Sequence, residues 1–115
     1  MKHLCLICAE KVMEQMPRAD TETHFEEYRA FTYAIRQSGH FLACNPLLPP
    51  DAATTVRVRD GRVAITDGPC IETKEQLGGY YIIEAANMDE ALVWASRCPA
   101  ASWGRIEVRQ FAAYP

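Results

Sequence analysis

Hydrophobic residues recur with two different periods along the chain, which predicts an alternation of strands and helices. Residues 3–9 and 80–83 are apolar at both odd and even positions, as in strands that are buried on both faces. Residues 41–44 form a third short apolar run, and residues 105–109 alternate between polar and apolar as in a strand with one buried face. The predicted order is strand, helix, strand, hairpin, strand, helix, strand.

Two segments carry apolar residues at helical spacing between residues that start and stop helices. The first opens at Pro17 and Asp20, with Asp20 as the expected N-cap, and Gly39 ends it. Asn87 is the expected N-cap of the second helix, and Pro99 prevents its continuation. The expected buried stripes are Phe25, Tyr28, Phe31 or Thr32 and Ile35 in the first helix, and Met88, Ala91, Leu92 and Ala95 in the second.

A hairpin is predicted between the strand at residues 41–44 and the strand at residues 80–83. Asp60-Gly61 separates two alternating runs, which is the pattern of a two-residue type I′ turn. The register places Val56, Val58, Val63 and Ile65 on one face and Arg57, Arg59 and Arg62 on the other. Further along, Thr73 and Gln76 resemble the capping box of one helical turn, which Gly78 and Gly79 would close.

This order of elements predicts one α+β domain over residues 1–115, with a ferredoxin-like antiparallel sheet, two helices on one face and an inserted hairpin. The other face of the sheet is apolar at residues 4–8 and 80–83 and needs a cover. Face-to-face packing of two sheets would bury it at little cost. We therefore expect a homodimer.

Charge and composition narrow the range of partners and compartments. The chain has 115 residues with 12 basic and 15 acidic side chains, for a net charge of -3, which disfavours a nucleic-acid partner despite the small arginine strip of the hairpin. No apolar run approaches the ~20 residues of a membrane span, and no signal peptide is recognisable, so we expect a soluble cytoplasmic protein with no membrane partner. The five cysteines, an odd number, indicate reduced thiols.

Cys5 and Cys8 form a C-x-x-C pattern that could suggest redox or metal chemistry. On a strand, however, the two side chains point to opposite faces, about 10 Å apart, too far for a disulfide or a shared metal ion. We interpret both as small buried hydrophobic residues.

The densest polar region follows the hairpin. Asp67 stands on a Gly68-Pro69 turn that can hold its carboxylate still, as a general base or ligand-orienting group requires, and Glu72 and Lys74 follow closely. These residues are candidate ligand contacts, and Asp67 is also a candidate catalytic residue that we expect to face a cavity. The alternative is that Asp67 only hydrogen-bonds the backbone amides of its turn.

His24 and Tyr28 are the second candidate pair, because positions i and i+4 lie one above the other on a helix. His24 could carry a proton near neutral pH and Tyr28 could contact a ligand; the alternative is a partly exposed, inert His24. His3 and His40 are interpreted as structural, and Trp94 and Trp103 as core and interface residues. No group of side chains has metal-ligand spacing, so we expect neither metal nor cofactor.

The same residues carry a family resemblance. Asp67-Gly68-Pro69 and the segment 72–79, Glu72-Thr73-Lys74-Glu75-Gln76-Leu77-Gly78-Gly79, strongly resemble the DGPF branch of the YCII-related family, and residues 54–57, 89–92, 98–101 and 106–109 are similar to it as well. The resemblance implies a dimeric α+β barrel without an established reaction, and genes of this branch often lie beside those for extracytoplasmic-function sigma factors.

Two departures from the family pattern bear on the site. The branch usually has phenylalanine where this chain has Cys70, which is either a smaller residue in the same apolar pocket or a thiol beside the site. Other YCII-related proteins suggest an active-site His–Asp pair, whose histidine aligns nearer Tyr28 than His24 here. The pair therefore does not transfer residue by residue.

Two functions of different classes remain open at this point. The first is a homodimer that binds an unknown small molecule in a cleft near the Asp67 turn, together with acid/base catalysis. The second is a non-catalytic accessory or regulatory module whose surface contacts another protein, such as a sigma factor. A pocket where polar groups converge would favour the first, and an uncovered apolar patch would favour the second.

Overall fold

The computed structural model of the chain describes residues 1–10 and 18–113. Within these ranges the chain forms six strands, two α-helices and two short 3₁₀ turns. In chain order the elements are β1 (Lys2–Ala9), α1 (Arg18–Gln37), β2 (Phe41–Pro46), a 3₁₀ turn (Pro50–Ala52), β3 (Thr54–Arg59), β4 (Arg62–Asp67), β5 (Gln76–Glu84), α2 (Met88–Arg97), a 3₁₀ turn (Pro99–Ser102) and β6 (Arg105–Gln110).

Four strands form one antiparallel sheet in the order β2–β5–β1–β6. The strand that is first in the chain therefore lies at the centre, between β5 and β6. Cys5 stands opposite Tyr81 on one side and Val108 on the other, which places all three on the same face. The predicted ferredoxin-like α+β fold is confirmed.

The hydrophobic core lies between this face and the two helices. Phe31 and Ile35 from α1 and Ala91 and Ala95 from α2 are all buried in it. From the sheet, it contains Cys5, Tyr81 and Ile83. Alanine has almost no side chain beyond Cβ, so α2 can lie close to the strands.

The ends of α2 agree with the sequence prediction. The Glu90 backbone N–H donates to Asn87 Oδ1 at 2.9 Å, so Asn87 is the N-cap. The helix ends at Arg97, two residues before Pro99. Of its predicted stripe, Ala91 and Ala95 are buried, whereas Leu92 is exposed.

The start of α1 differs from the prediction. Pro17 lies outside the described residues, and Asp20 lies within the helix, which covers Arg18–Gln37, and is therefore not the N-cap. The buried stripe is shifted as well, because His24 is buried and Phe25 is exposed. The His24 side chain is buried in place of Phe25 because its ring packs against Trp103, a contact that the hydrophobic pattern of α1 alone does not reveal.

The predicted hairpin is present in the predicted register. Val56 pairs with Ile65 and Val58 with Val63, and the turn residues Asp60 and Gly61 have φ values of 52° and 73°, as a type I′ turn requires. The two strands β3 and β4 form a sheet of their own. The four apolar side chains of one face are 55–70% exposed.

Residues 68–75 contain no helical turn, so the predicted capping box at Thr73 and Gln76 is wrong. Gln76 instead begins β5 and pairs with Ala9, and the Thr73 hydroxyl donates to the carbonyl of Glu75. Gly79, expected to close a helix, lies within β5. A Cβ atom there would stand 3.0 Å from the carbonyl oxygen of Asn45, so glycine allows β2 and β5 to approach.

The second face of the four-stranded sheet turns away from the helices. Side chains alternate between the two faces along each strand. The sequence neighbours of the core residues, Leu4, Leu6 and Ile82, therefore point to this second face, and they are half-buried. Cys8, beyond a bulge in β1, is half-buried too. Among the described residues, neither helix combines the length and the apolar character that a membrane span requires.

Candidate active site

A cavity of about 430 Å³ opens where the N-terminal half of α1 faces the ends of β1, β2 and β5. The proline-rich loop after β2 and Trp103, which follows the second 3₁₀ turn, complete its wall. Its aromatic lining residues are His24, Phe25, Tyr28, Tyr80, Tyr81 and Trp103. The size lies within the range of small-molecule sites.

His24 is the residue of this cavity that can both form hydrogen bonds with a ligand and exchange a proton with it. It is only 7% exposed, and its ring centroid lies 4.8 Å from that of Tyr28, edge to face, and 4.8 Å from that of Trp103. Within the described part of the chain, no hydrogen bond engages either imidazole nitrogen. A neutral imidazole offers one donor and one acceptor, and both are therefore available to a ligand.

Burial keeps both members of the pair uncharged near neutral pH. It lowers the pKa of His24, and the nearby Glu27 carboxylate opposes part of that shift. Burial also raises the pKa of the Tyr28 phenol well above its usual value, and the adjacent Cys98 thiol, 3.9 Å from the phenol oxygen, adds to the effect. His24 can thus accept a proton from a bound molecule, and Tyr28 cannot act as an anion.

Tyr81 closes the cavity on the side of the sheet. Burial raises its pKa to about 12, and its hydroxyl is 2.7 Å from Thr32 Oγ1 on α1. This hydrogen bond ties β5 to the helix that carries His24. It holds the wall of the cavity in place.

The described residues place no fixed charge in the interior of the cavity. Among the lining residues that the structure describes there is no lysine or arginine, and the single carboxylate is Glu10, which is itself exposed. The Glu10 carboxylate lies 3.4 Å from the ammonium group of Lys74. This exposed pair contributes little to stability, but it places Lys74 near the mouth of the cavity.

The structure does not bring Asp67, Glu72 and Lys74 into the cavity lining; all three side chains are exposed. The turn after Asp67 is held by its backbone, since Gly68 N–H donates to the carbonyl of Ala53 and Thr55 Oγ1 to the carbonyl of Gly68, both at 2.7 Å. Within the described residues, the Asp67 carboxylate takes part in no hydrogen bond. The amide hydrogen bonds of the turn-forming alternative are therefore absent among these residues, and the functional role of Asp67 remains a prediction.

His24 and Tyr28 are brought together, as their spacing indicates, but the alternative of a partly exposed His24 is wrong. The role of Trp103 beside His24 was not predicted, because nothing in the sequence links a helix to a loop so far along the chain. Cys70 is exposed, so it does not fill an apolar pocket. Cys5 and Cys98 are buried free thiols, and burial raises the pKa of Cys5 to about 11.

His40 lies apart from the cavity. Its Nε2 is 2.7 Å from Glu90 Oε1 and its Nδ1 is 2.8 Å from Ser38 Oγ, so it joins the end of α1 to the start of α2. His3 is fully buried with Nδ1 3.0 Å from the carbonyl of Met1. These contacts agree with the structural roles expected for both.

Comparisons with known proteins assign the chain to a family. A solved structure with the same fold, at a TM-score of 0.55 and 16% identity over 97% of this chain and 94% of the other, is 5-chloro-2-hydroxyhydroquinone dehydrochlorinase from Burkholderia phenoliruptrix AC1100, in complex with 2,5-dihydroxybenzoquinone. An uncharacterised protein of Rhizobium meliloti (strain 1021) is 36% identical over 107 residues, which cover 91% of this chain and 86% of the relative. The model of the YCII-related domain matches residues 1–113, and the chain belongs to this family.

Proposed function

We propose that the chain binds a small uncharged organic molecule in the cavity beside α1, and that His24 exchanges a proton with it. The observation that carries this proposal is the state of His24. It is buried, it lines the cavity, and its nitrogens have no hydrogen-bond partner among the described residues. A ligand in the cavity can therefore reach these nitrogens, and its hydroxyl or carbonyl group would form a hydrogen bond with them.

Acid/base catalysis follows from the same geometry. Because burial lowers its pKa, His24 is a neutral imidazole near pH 7 and can act as a general base towards a bound hydroxyl or an acidic C–H. The dehydrochlorinase with the same fold, solved with a six-membered-ring ligand, supports a fold that holds small cyclic molecules.

Binding of 4-methylphenol to wild-type and His24→Leu protein tests the proposal. Trp94 packs against Phe31 and His40, away from the cavity, so a Trp94→Phe background leaves Trp103 as the single tryptophan. We expect 4-methylphenol to quench Trp103, and roughly tenfold weaker binding in His24→Leu, the value of about one hydrogen bond.

His40→Leu is the matched control, because it removes a histidine that does not line the cavity. This variant should bind 4-methylphenol as the wild type does. Equal affinity in His24→Leu and wild type would remove His24 from the site. Absence of any Trp103 response at millimolar 4-methylphenol would remove the cavity as a site for such molecules.

We further propose that the chain acts as a homodimer that packs the half-buried sheet face of Leu4, Leu6 and Ile82 against a second copy. Asp67 lies outside the cavity of a single chain, so its predicted role in the site depends on a second chain that brings it to the ligand. Weaker 4-methylphenol binding in Asp67→Asn would establish that role.

A protein-interaction module is the second candidate function. The observation in its favour is the hairpin, whose face of Val56, Val58, Val63 and Ile65 is open to solvent, while among the described strands β3 and β4 pair only with each other. An isolated two-stranded hairpin is marginally stable in water, which favours a covering partner. A sigma factor is one such partner, and loss of its binding in Val58→Ser with retained 4-methylphenol binding would support this function.

A further inference from the structure

Apolar side chains surround the mouth of the cavity and remain open to solvent. Phe25 on α1 is 52% exposed, Leu47 and Leu48 in the loop after β2 are 46% and 78% exposed, and Leu77 on β5 is 41% exposed. All four line the cavity, so they continue its apolar surface outward. We call these four residues the apolar rim.

The two ends of the cavity therefore differ in chemistry. The inner end has the unpartnered imidazole of His24, set between the rings of Tyr28 and Trp103 at 4.8 Å from each. The aromatic side chains that line the cavity can pack edge to face or offset-stacked against a planar aromatic guest. The outer end provides only hydrocarbon contacts at the apolar rim.

The charges of the described lining residues disfavour an anionic ligand. A carboxylate or phosphate that entered the cavity would lose its hydration, and no lysine or arginine among the described lining residues would replace it. Glu10, the one carboxylate among the described lining residues, lies 3.4 Å from the ammonium group of Lys74, so that cation is already paired. A neutral hydroxyl, in contrast, can donate to the free imidazole nitrogen of His24.

We propose that the ligand is an uncharged phenol with an apolar tail, whose hydroxyl meets His24 and whose tail lies along the apolar rim. This inference rests on the proposed function and names the class of molecule that the same site binds. It differs from a small polar ring compound, which would leave the apolar rim exposed.

A series of 4-alkylphenols, from 4-methylphenol to 4-pentylphenol, tests the tail. Transfer of one methylene group from water to apolar surface corresponds to about fourfold tighter binding. We expect the dissociation constant, measured by Trp103 quenching, to fall by about that factor for each added methylene group. The 4-alkylbenzoates of equal tail length should bind at least tenfold more weakly than the phenols.

Leu48→Ser probes the apolar rim without endangering the fold, because Leu48 is the most exposed of the four. It should flatten the dependence of the dissociation constant on tail length. Val93→Ser, which removes another exposed apolar side chain, from α2, is the matched control and should retain the full dependence.

The outcomes separate this inference from the proposed function. If 4-methylphenol binds and longer tails give no gain, or benzoates bind better than phenols, the tailed-phenol inference is wrong and the His24 site stands. If no phenol of any tail length quenches Trp103, the tailed-phenol inference and the proposed function are both wrong. If Leu48→Ser dissociates a dimer and leaves the tail dependence intact, a second copy covers the apolar rim and the inference is overturned.

Discussion

His24 shows at the scale of one residue how burial sets a protonation state. Its ring is enclosed by Tyr28 and Trp103, and solvation of the charged form is largely lost, so burial lowers its pKa. The unfolded chain has no such enclosure and protonates the same ring near pH 6.5. The difference between the two states couples folding to pH.

We expect the free energy of unfolding to decrease as the pH falls from 7.5 to 5. Below about pH 6.5 the unfolded chain binds a proton at His24 that the folded chain resists, so the contribution of a neutral His24 is present above this pH and is lost below it. Urea denaturation at several pH values measures the effect. The decrease should be smaller in His24→Leu, and an equal decrease in both proteins would show that His24 is not its source.

At the same scale, the i, i+4 spacing of His24 and Tyr28 was sufficient to predict their contact, since it is a property of the helix itself. Burial of His24 in place of Phe25 could not be predicted from hydropathy, because it depends on Trp103. The position of Asp67 outside the cavity could not be predicted from the sequence for a related reason. A turn fixes the local backbone but not the surface that it faces.

At the scale of secondary-structure elements, the start of α2 is capped by side chains. Asn87 Oδ1 accepts the backbone N–H of Glu90, while Glu90 Oε1 accepts the backbone N–H of Ala86 at 3.3 Å. Two backbone donors at the start of the helix are therefore satisfied by side chains. The same Glu90 also binds His40, so the cap links α2 to the end of α1.

Replacement of Asn87 by alanine removes one of these partners and should reduce the free energy of unfolding by about 1 kcal/mol. Asn87→Asp retains an acceptor oxygen and should lose much less. Equilibrium urea denaturation of both variants gives the two values. A loss below about 0.3 kcal/mol in Asn87→Ala would mean that the cap adds nothing to the stability of the fold.

Elements with local causes were predicted correctly, and elements with distant causes were not. The hairpin depends on Asp60 and Gly61, which adopt their positive φ values whatever surrounds them. The helical turn expected at Thr73 does not form, because the backbone of Gln76 pairs with Ala9, and this pairing depends on a strand from the other end of the sequence. At this position, pairing in the sheet overrides the local helical propensity of the sequence.

For the whole molecule, the uncovered face of the sheet leads to a prediction of assembly. Light scattering at micromolar concentration should give twice the chain mass of 13.0 kDa. Leu6→Lys places a charge on that face and should give a folded monomer, with an unchanged far-ultraviolet circular dichroism spectrum. Leu92→Lys, on an exposed position of α2, should remain a dimer.

A wild-type chain that scatters as a monomer would contradict the homodimer. A dimer that persists in Leu6→Lys and dissociates in Val58→Ser would place the interface on the hairpin instead of the sheet. The sequence predicts that a second copy is needed, because apolar residues occupy both faces of β1 and β5. It does not identify the arrangement of the two copies, which depends on shapes that arise after folding.

The position of β1 at the centre of the sheet has a consequence for synthesis of the chain. His3 pairs with Ile83 on one side and Gln110 on the other, so both neighbours of the first strand are translated long after it. Until they emerge, β1 exposes two unpaired edges and an apolar sequence, the properties that promote aggregation. The hairpin, whose partners are adjacent, can form within microseconds, and closure of the central sheet is therefore the late event during which a nascent chain would benefit from a chaperone.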